Sequence, residues 1–112
     1  MIFAIPLAEG KLTMHFGHCQ EFAVITTDES GAIVSDERAT PPPHEVGVLP
    51  RWIGNEIKAD IVLAGGMGIK AQEIIKQFGV DVIVGCEPKD PAELVKEYLA
   101  GNISSGANAC DH

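Results

Sequence analysis

The chain has 112 residues, 46% of them hydrophobic, and a formal net charge of −8 at pH 7. That suits one domain with one real core. Eight scattered Lys and Arg residues against sixteen Asp and Glu exclude DNA or RNA as a main partner, because phosphate binding needs clustered cations. No apolar run approaches the roughly 20 residues of a membrane span. The opening Met1-Ile-Phe-Ala-Ile-Pro6 has no basic region of the signal-peptide kind. A reducing cytoplasm is the expected setting, in which three cysteines without CxxC spacing persist as free thiols.

In chain order, Ile2 to Leu7 reads as a first, apolar strand. Phe22 to Thr27, rich in β-branched residues, is a second strand; it ends at the turn cluster Asp28-Glu-Ser-Gly31 and is followed by a hairpin partner, Ala32 to Arg38. Pro41-Pro42-Pro43 then stops strand pairing. From Val46 the period changes: Val48, Leu49, Trp52, Ile53 and Ile57 share a helical face opposite Arg51, Asn55 and Lys58. Pro50 confines the helix start to between Val46 and Leu49. Asp60 to Ala64 reads as a buried parallel strand bounded by Gly65-Gly66. Ala71, Ile74, Ile75 and Phe78 mark a second helix ending at Gly79, and Val80 to Val84 is another buried strand. Asp90-Pro91-Ala92-Glu93 resembles a capping box with proline at the first helical position. The helix it opens turns Leu94, Val95, Tyr98 and Leu99 to the core and ends at Gly101. Residues 102–112 form a polar tail, so the organisation expected is one domain over 1–101 and a flexible extension over 102–112.

The order β-β-β-α-β-α-β-α combines an antiparallel meander with right-handed crossovers. It predicts an α/β, three-layer fold: a mixed five-stranded sheet in the order 3-2-1-4-5, strand 2 antiparallel, flanked by three helices. Ribonuclease H-like folds have this layout. The loops after strands 1, 3, 4 and 5 then meet at the carboxyl edge of the parallel strands, where open α/β sheets favour ligands.

Five of the seven His and Cys residues fall in two short stretches, His15-Phe-Gly-His18-Cys19 and Cys110-Asp-His112. Imidazole and thiolate bind soft and borderline metals. The carboxyl-edge loops carry His15, His18, Cys19, His44 and Cys86. The tail starts at the opposite end, and its eleven residues reach roughly 35–40 Å when extended, enough to return Cys110 and His112 to that edge as a metal-dependent lid. Each residue also has a plainer reading. His18 and His44 can hydrogen-bond loop backbone, Cys19 and Cys86 can fill the core, Met14 and Met67 can fill gaps, and Cys110-Asp-His112 can be a frayed terminus. Gly65-Gly66-Met67-Gly68 precedes a helix whose free amides suit an anion. It is not a GxxxxGK[ST] phosphate loop, and the glycines alternatively serve tight packing. Nuclease chemistry is excluded, because the first strand carries no acidic metal ligand and the fourth only Asp60.

Phe16-Gly17-His18 with Phe22, Pro42-Pro43-His44-Glu45, Leu49-Pro50-Arg51-Trp52, Gly65-Gly66-Met67-Gly68, Val84-Gly85 and Asn108-Ala109-Cys110-Asp111-His112 resemble the dinitrogenase iron-molybdenum cofactor biosynthesis family. That family includes NifX-like carriers, the carboxyl-terminal domain of NifB and small orange-protein-like members. The resemblance spans essentially the whole chain. It implies the ribonuclease H-like fold and a non-catalytic role, binding or carrying an iron-sulfur or molybdenum-containing cluster. It also implies a P-loop ATPase scaffold or another cofactor-assembly protein as partner. His18 and the Cys110/His112 pair match best, while Cys19 stands where relatives often have a small residue. A metal-free interaction module and a simple zinc or copper binder are the alternatives to a cluster carrier.

Overall fold

The computed structural model describes residues 1–13, 16, 19–42 and 48–101. The strands are β1 (Ile2–Ala8), β2 (Lys11–Leu12), β3 (Glu21–Thr27), β4 (Ile33–Ala39), β5 (Ile61–Leu63) and β6 (Asp81–Ile83). The helices are α1 (Val48–Trp52), which runs on into a π-helical stretch (Ile53–Ile57), α2 (Ile69–Gln77) and α3 (Pro91–Leu99). The sheet order is β4-β3-β1-β5-β6. β3 is antiparallel to β1, while β5 and β6 run parallel to it. Five strands therefore keep the expected order, and the sixth, β2, is additional. No helix among the described residues is long and apolar enough to cross a membrane.

β2 arises from a two-residue hairpin. Glu9 (φ 56°) and Gly10 (φ 83°) both have positive φ, the geometry that matches strand twist in a tight turn. The pairing covers only Leu7 with Leu12 and Ala8 with Lys11. Pro6 explains the stop: the Thr13 amide donates to the Pro6 carbonyl at 3.0 Å, but proline has no N–H with which to return the bond. The chain then leaves the sheet.

Alternation along the strands divides the interior into two cores. Ala4, Phe22, Val62 and Ala64 face α1 and α2, meeting Leu49, Ile53 and Ile75. Phe3, Ile5, Leu7, Ala23, Ile25, Ile61 and Leu63 face α3, meeting Leu94 and Val95. Helices on both faces explain why Phe3, Ala4, Ile5 and Leu7 are all wholly buried.

Three local expectations change. Asp90 stands at the N-cap of α3, but its side chain makes no capping hydrogen bond; Pro91 and the Asp90 carbonyl, which accepts the Leu94 amide at 3.1 Å, define that start. Leu99, the last residue of α3, is 40% exposed, beyond the core contacts of Leu94 and Val95. Phe78 is 39% exposed; it lies over Gly54, where an added Cβ would stand 2.5 Å from its ring.

Candidate metal-cluster site

Three segments are stitched together at the carboxyl edge of the parallel strands by their own backbones. The Phe16 amide, from the loop that follows β2, donates to the Gly66 carbonyl at 2.9 Å. The Gly85 amide donates to Gly65 at 3.0 Å, and the Cys86 amide donates to Ala64 at 3.1 Å. The loop after β6 is also tied to β2, whose Leu12 amide donates to the Lys89 carbonyl at 3.1 Å. Three of the four loops expected to converge there are thus joined by direct hydrogen bonds, while His44, on the fourth, lies outside the described residues.

Gly65, Gly66 and Met67 are buried, and Gly68 is exposed. The Met67 side chain lies wholly within the core facing α1 and α2, so the loop meets solvent through Gly68 and Ile69, the latter 65% exposed. Gly68 caps α2 in an extended conformation, with no side-chain cap. The Gln72 side-chain Nε2 donates to the Met67 carbonyl at 2.8 Å. A trans peptide points its N–H opposite to its C=O. Holding the Met67 carbonyl therefore turns the Gly68 amide away from Gln72, at the positive end of the helix dipole.

Cys19 and Cys86 are not brought together. Cys19 packs with Phe16, Phe22 and Leu49 on the α1/α2 side, whereas Cys86 packs with Leu7, Leu12 and Leu94 on the α3 side. Burial pushes the Cys19 thiol up to about 11, against a smaller lowering by its backbone hydrogen bond. Burial also raises the Cys86 thiol, opposed by a hydrogen bond from Ala64 and reinforced by the charge on Glu97. The thiolate is the metal-binding form, and burial disfavours it at both cysteines.

His15, His18, His44, Cys110 and His112 lie outside the described residues, as do Met14 and the tail 102–112. Among the described residues, no three His, Cys, Asp or Glu side chains are grouped to hold a metal ion. The described part of the site is consequently a scaffold of backbone groups. Sequence reasoning found the glycine loop but missed Gln72, since a polar residue one turn into an amphipathic helix carries no signal of its own.

An aromatic series leads away from the edge: Phe16 meets Phe22 edge-on at 5.9 Å, and Phe22 meets Trp52 at 5.2 Å. It joins the loop bearing Phe16 to α1 through the core, so the position of Phe16 is set by packing as well as by its amide.

Comparison with known proteins agrees with this architecture. A model of the family described as "Dinitrogenase iron-molybdenum cofactor" matches residues 1–101. An uncharacterized protein of Methanocaldococcus jannaschii is 27% identical over 107 residues, spanning 92% of this chain and 89% of its own. The crystal structure of PH0822 aligns over 100% of both chains with a TM-score of 0.86 and 25% identity. The apo form of the orange protein from Desulfovibrio gigas shares the fold at 20% identity, with a TM-score of 0.73 over 96% of this chain and 93% of that one. With its residues 1–101 matched as a unit, the chain belongs to the dinitrogenase iron-molybdenum cofactor family.

Proposed function

We propose that the protein binds and carries an iron-sulfur or molybdenum-containing cluster during cofactor biosynthesis, as cargo and without catalysing a reaction. The observation that carries this reading is the Phe16–Gly66 hydrogen bond of 2.9 Å. It fixes Phe16, one of the two residues between His15 and His18 in sequence, directly beside the glycine loop. Imidazoles from His15 and His18 would anchor the cluster, Cys110 and His112 would close over it, and His44 would assist. Exposed amides at Gly68 and the start of α2 would donate to its sulfide or oxo groups, as helix N-termini do for anions. Cys19 and Cys86 are assigned to packing, on the strength of their burial in separate cores. The partners that fit are cytoplasmic cofactor-assembly proteins, including a P-loop ATPase scaffold.

Anaerobic reconstitution with iron, sulfide and molybdate, followed by metal analysis, tests the reading. Wild type is expected to retain coloured, stoichiometric metal. The His18→Ala/Cys110→Ser double variant should lose at least about tenfold in affinity, a typical effect of removing metal-site groups. Equal occupancy in the two proteins would reject the ligand assignment. A colourless wild type that takes up no metal would reject the carrier reading itself.

A further inference from the structure

Four consecutive carbonyls of the glycine loop are each held by a donor. Gly65 accepts from the Gly85 amide, Gly66 from the Phe16 amide, Met67 from the Gln72 side chain at 2.8 Å, and Gly68 from the Gln72 amide at 3.1 Å. Three of these donors are backbone groups; the Gln72 carboxamide is the one side chain in the set. Glycine on both sides of Met67 leaves this stretch with more conformational freedom than ordinary residues would allow. The Gly66–Met67 and Met67–Gly68 peptides meet at Met67, whose Cβ restricts its φ and ψ, so a side chain that pins the second peptide also constrains the first, the one whose carbonyl receives Phe16.

We propose that Gln72 is a positioning residue for Phe16, acting through Met67 and Gly66. Its reach runs from the second turn of α2 back across five residues and then into a segment about fifty residues earlier in the chain. The helix itself does not require the bond: the Gln72 amide already completes the first turn on Gly68. The partly buried setting of the Gln72–Met67 bond shields it from exchange with water, so its loss is felt by the loop.

The test uses the full chain with Gln72→Met, which keeps length and removes the donor, and Gln72→Lys, which restores one. In metal-free protein, Phe16 amide exchange should rise about fivefold in the Met variant and recover in the Lys variant, while Val62 at the centre of β5 is unchanged. Unchanged Phe16 exchange in the Met variant would overturn the proposal. So would a parallel acceleration at Val62, which signals global loosening. The second arm rests on the carrier reading: cobalt(II) affinity, read from its visible absorption, should fall about five- to tenfold in the Met variant. If wild type and both variants bind no cobalt(II) while Phe16 exchange behaves as stated, the positioning role stands and the ligand role of His15 and His18 falls.

Discussion

Cys19 is 4% exposed, and its burial has a consequence for stability at alkaline pH. Its thiol is raised from 9.0 to about 11 in the folded protein, so the folded state holds the proton more tightly than the unfolded chain does. The stabilisation is complete below pH 9 and is lost as pH rises from there toward 11. Between pH 7 and pH 10.5 the loss amounts to about 2 kcal/mol for this one group. Cys19→Ala is therefore expected to show a smaller fall in urea-unfolding free energy over that range than wild type, whatever it costs in packing at pH 7. An identical fall in the two proteins would mean that Cys19 is not the titrating group. The sequence left Cys19 open between ligand and core. Its burial on the α1/α2 side depends on the path of the loop after β2, and no local pattern encodes that path.

At the scale of elements, the π-helical stretch after α1 is held against α2 by a glycine. An added Cβ at Gly54 would lie 2.5 Å from Phe78 Cγ and 2.8 Å from its Cβ, so the clash involves the base of the side chain and not a flexible tip. Gly→Ala in a helix interior ordinarily stabilises by up to about 1 kcal/mol. Here overpacking should reverse the sign and cost about 1–3 kcal/mol. Gly54→Ala measured alone and combined with Phe78→Ala provides a double-mutant cycle, in which the second substitution should recover most of the loss. Stabilisation by Gly54→Ala alone would show that the two elements separate readily. The same contact marks the boundary of what was legible. The helical period placed Leu49, Ile53 and Ile75 in the core, as the structure has them. It also turned Phe78 inward, because periodicity is blind to a close helix–helix approach that leaves no room beneath it. β2 was illegible for a related reason. Two residues make no period, and its turn places Glu9, a poor turn former, at positive φ. The glycine loop was legible from its residue types, whereas its clamp by Gln72 required the backbone geometry.

Over the whole molecule, both cores share one sheet, and β1 contributes to each: Ala4 to one, Phe3, Ile5 and Leu7 to the other. Loss of β1 would empty both cores together, so a single cooperative unfolding transition is expected. Every buried hydrophobic side chain among the described residues lies between Phe3 and Val95, and α3 closes with Gly101 at φ 77°, its amide donating to the Tyr98 carbonyl at 3.0 Å. The family match ends at the same residue. Deleting residues 102–112 should therefore leave unfolding two-state and within about 0.5 kcal/mol of the full chain. Under the proposed carrier role, the same deletion also removes Cys110 and His112, and reconstituted metal should fall at least about tenfold. The two measurements separate the roles of the segment. A truncated protein that is stable but no longer holds metal assigns residues 102–112 to the cargo. A loss of more than about 2 kcal/mol would place them in the folded core. Full metal retention by a stable truncation would move the ligand set onto His15, His18 and His44 alone.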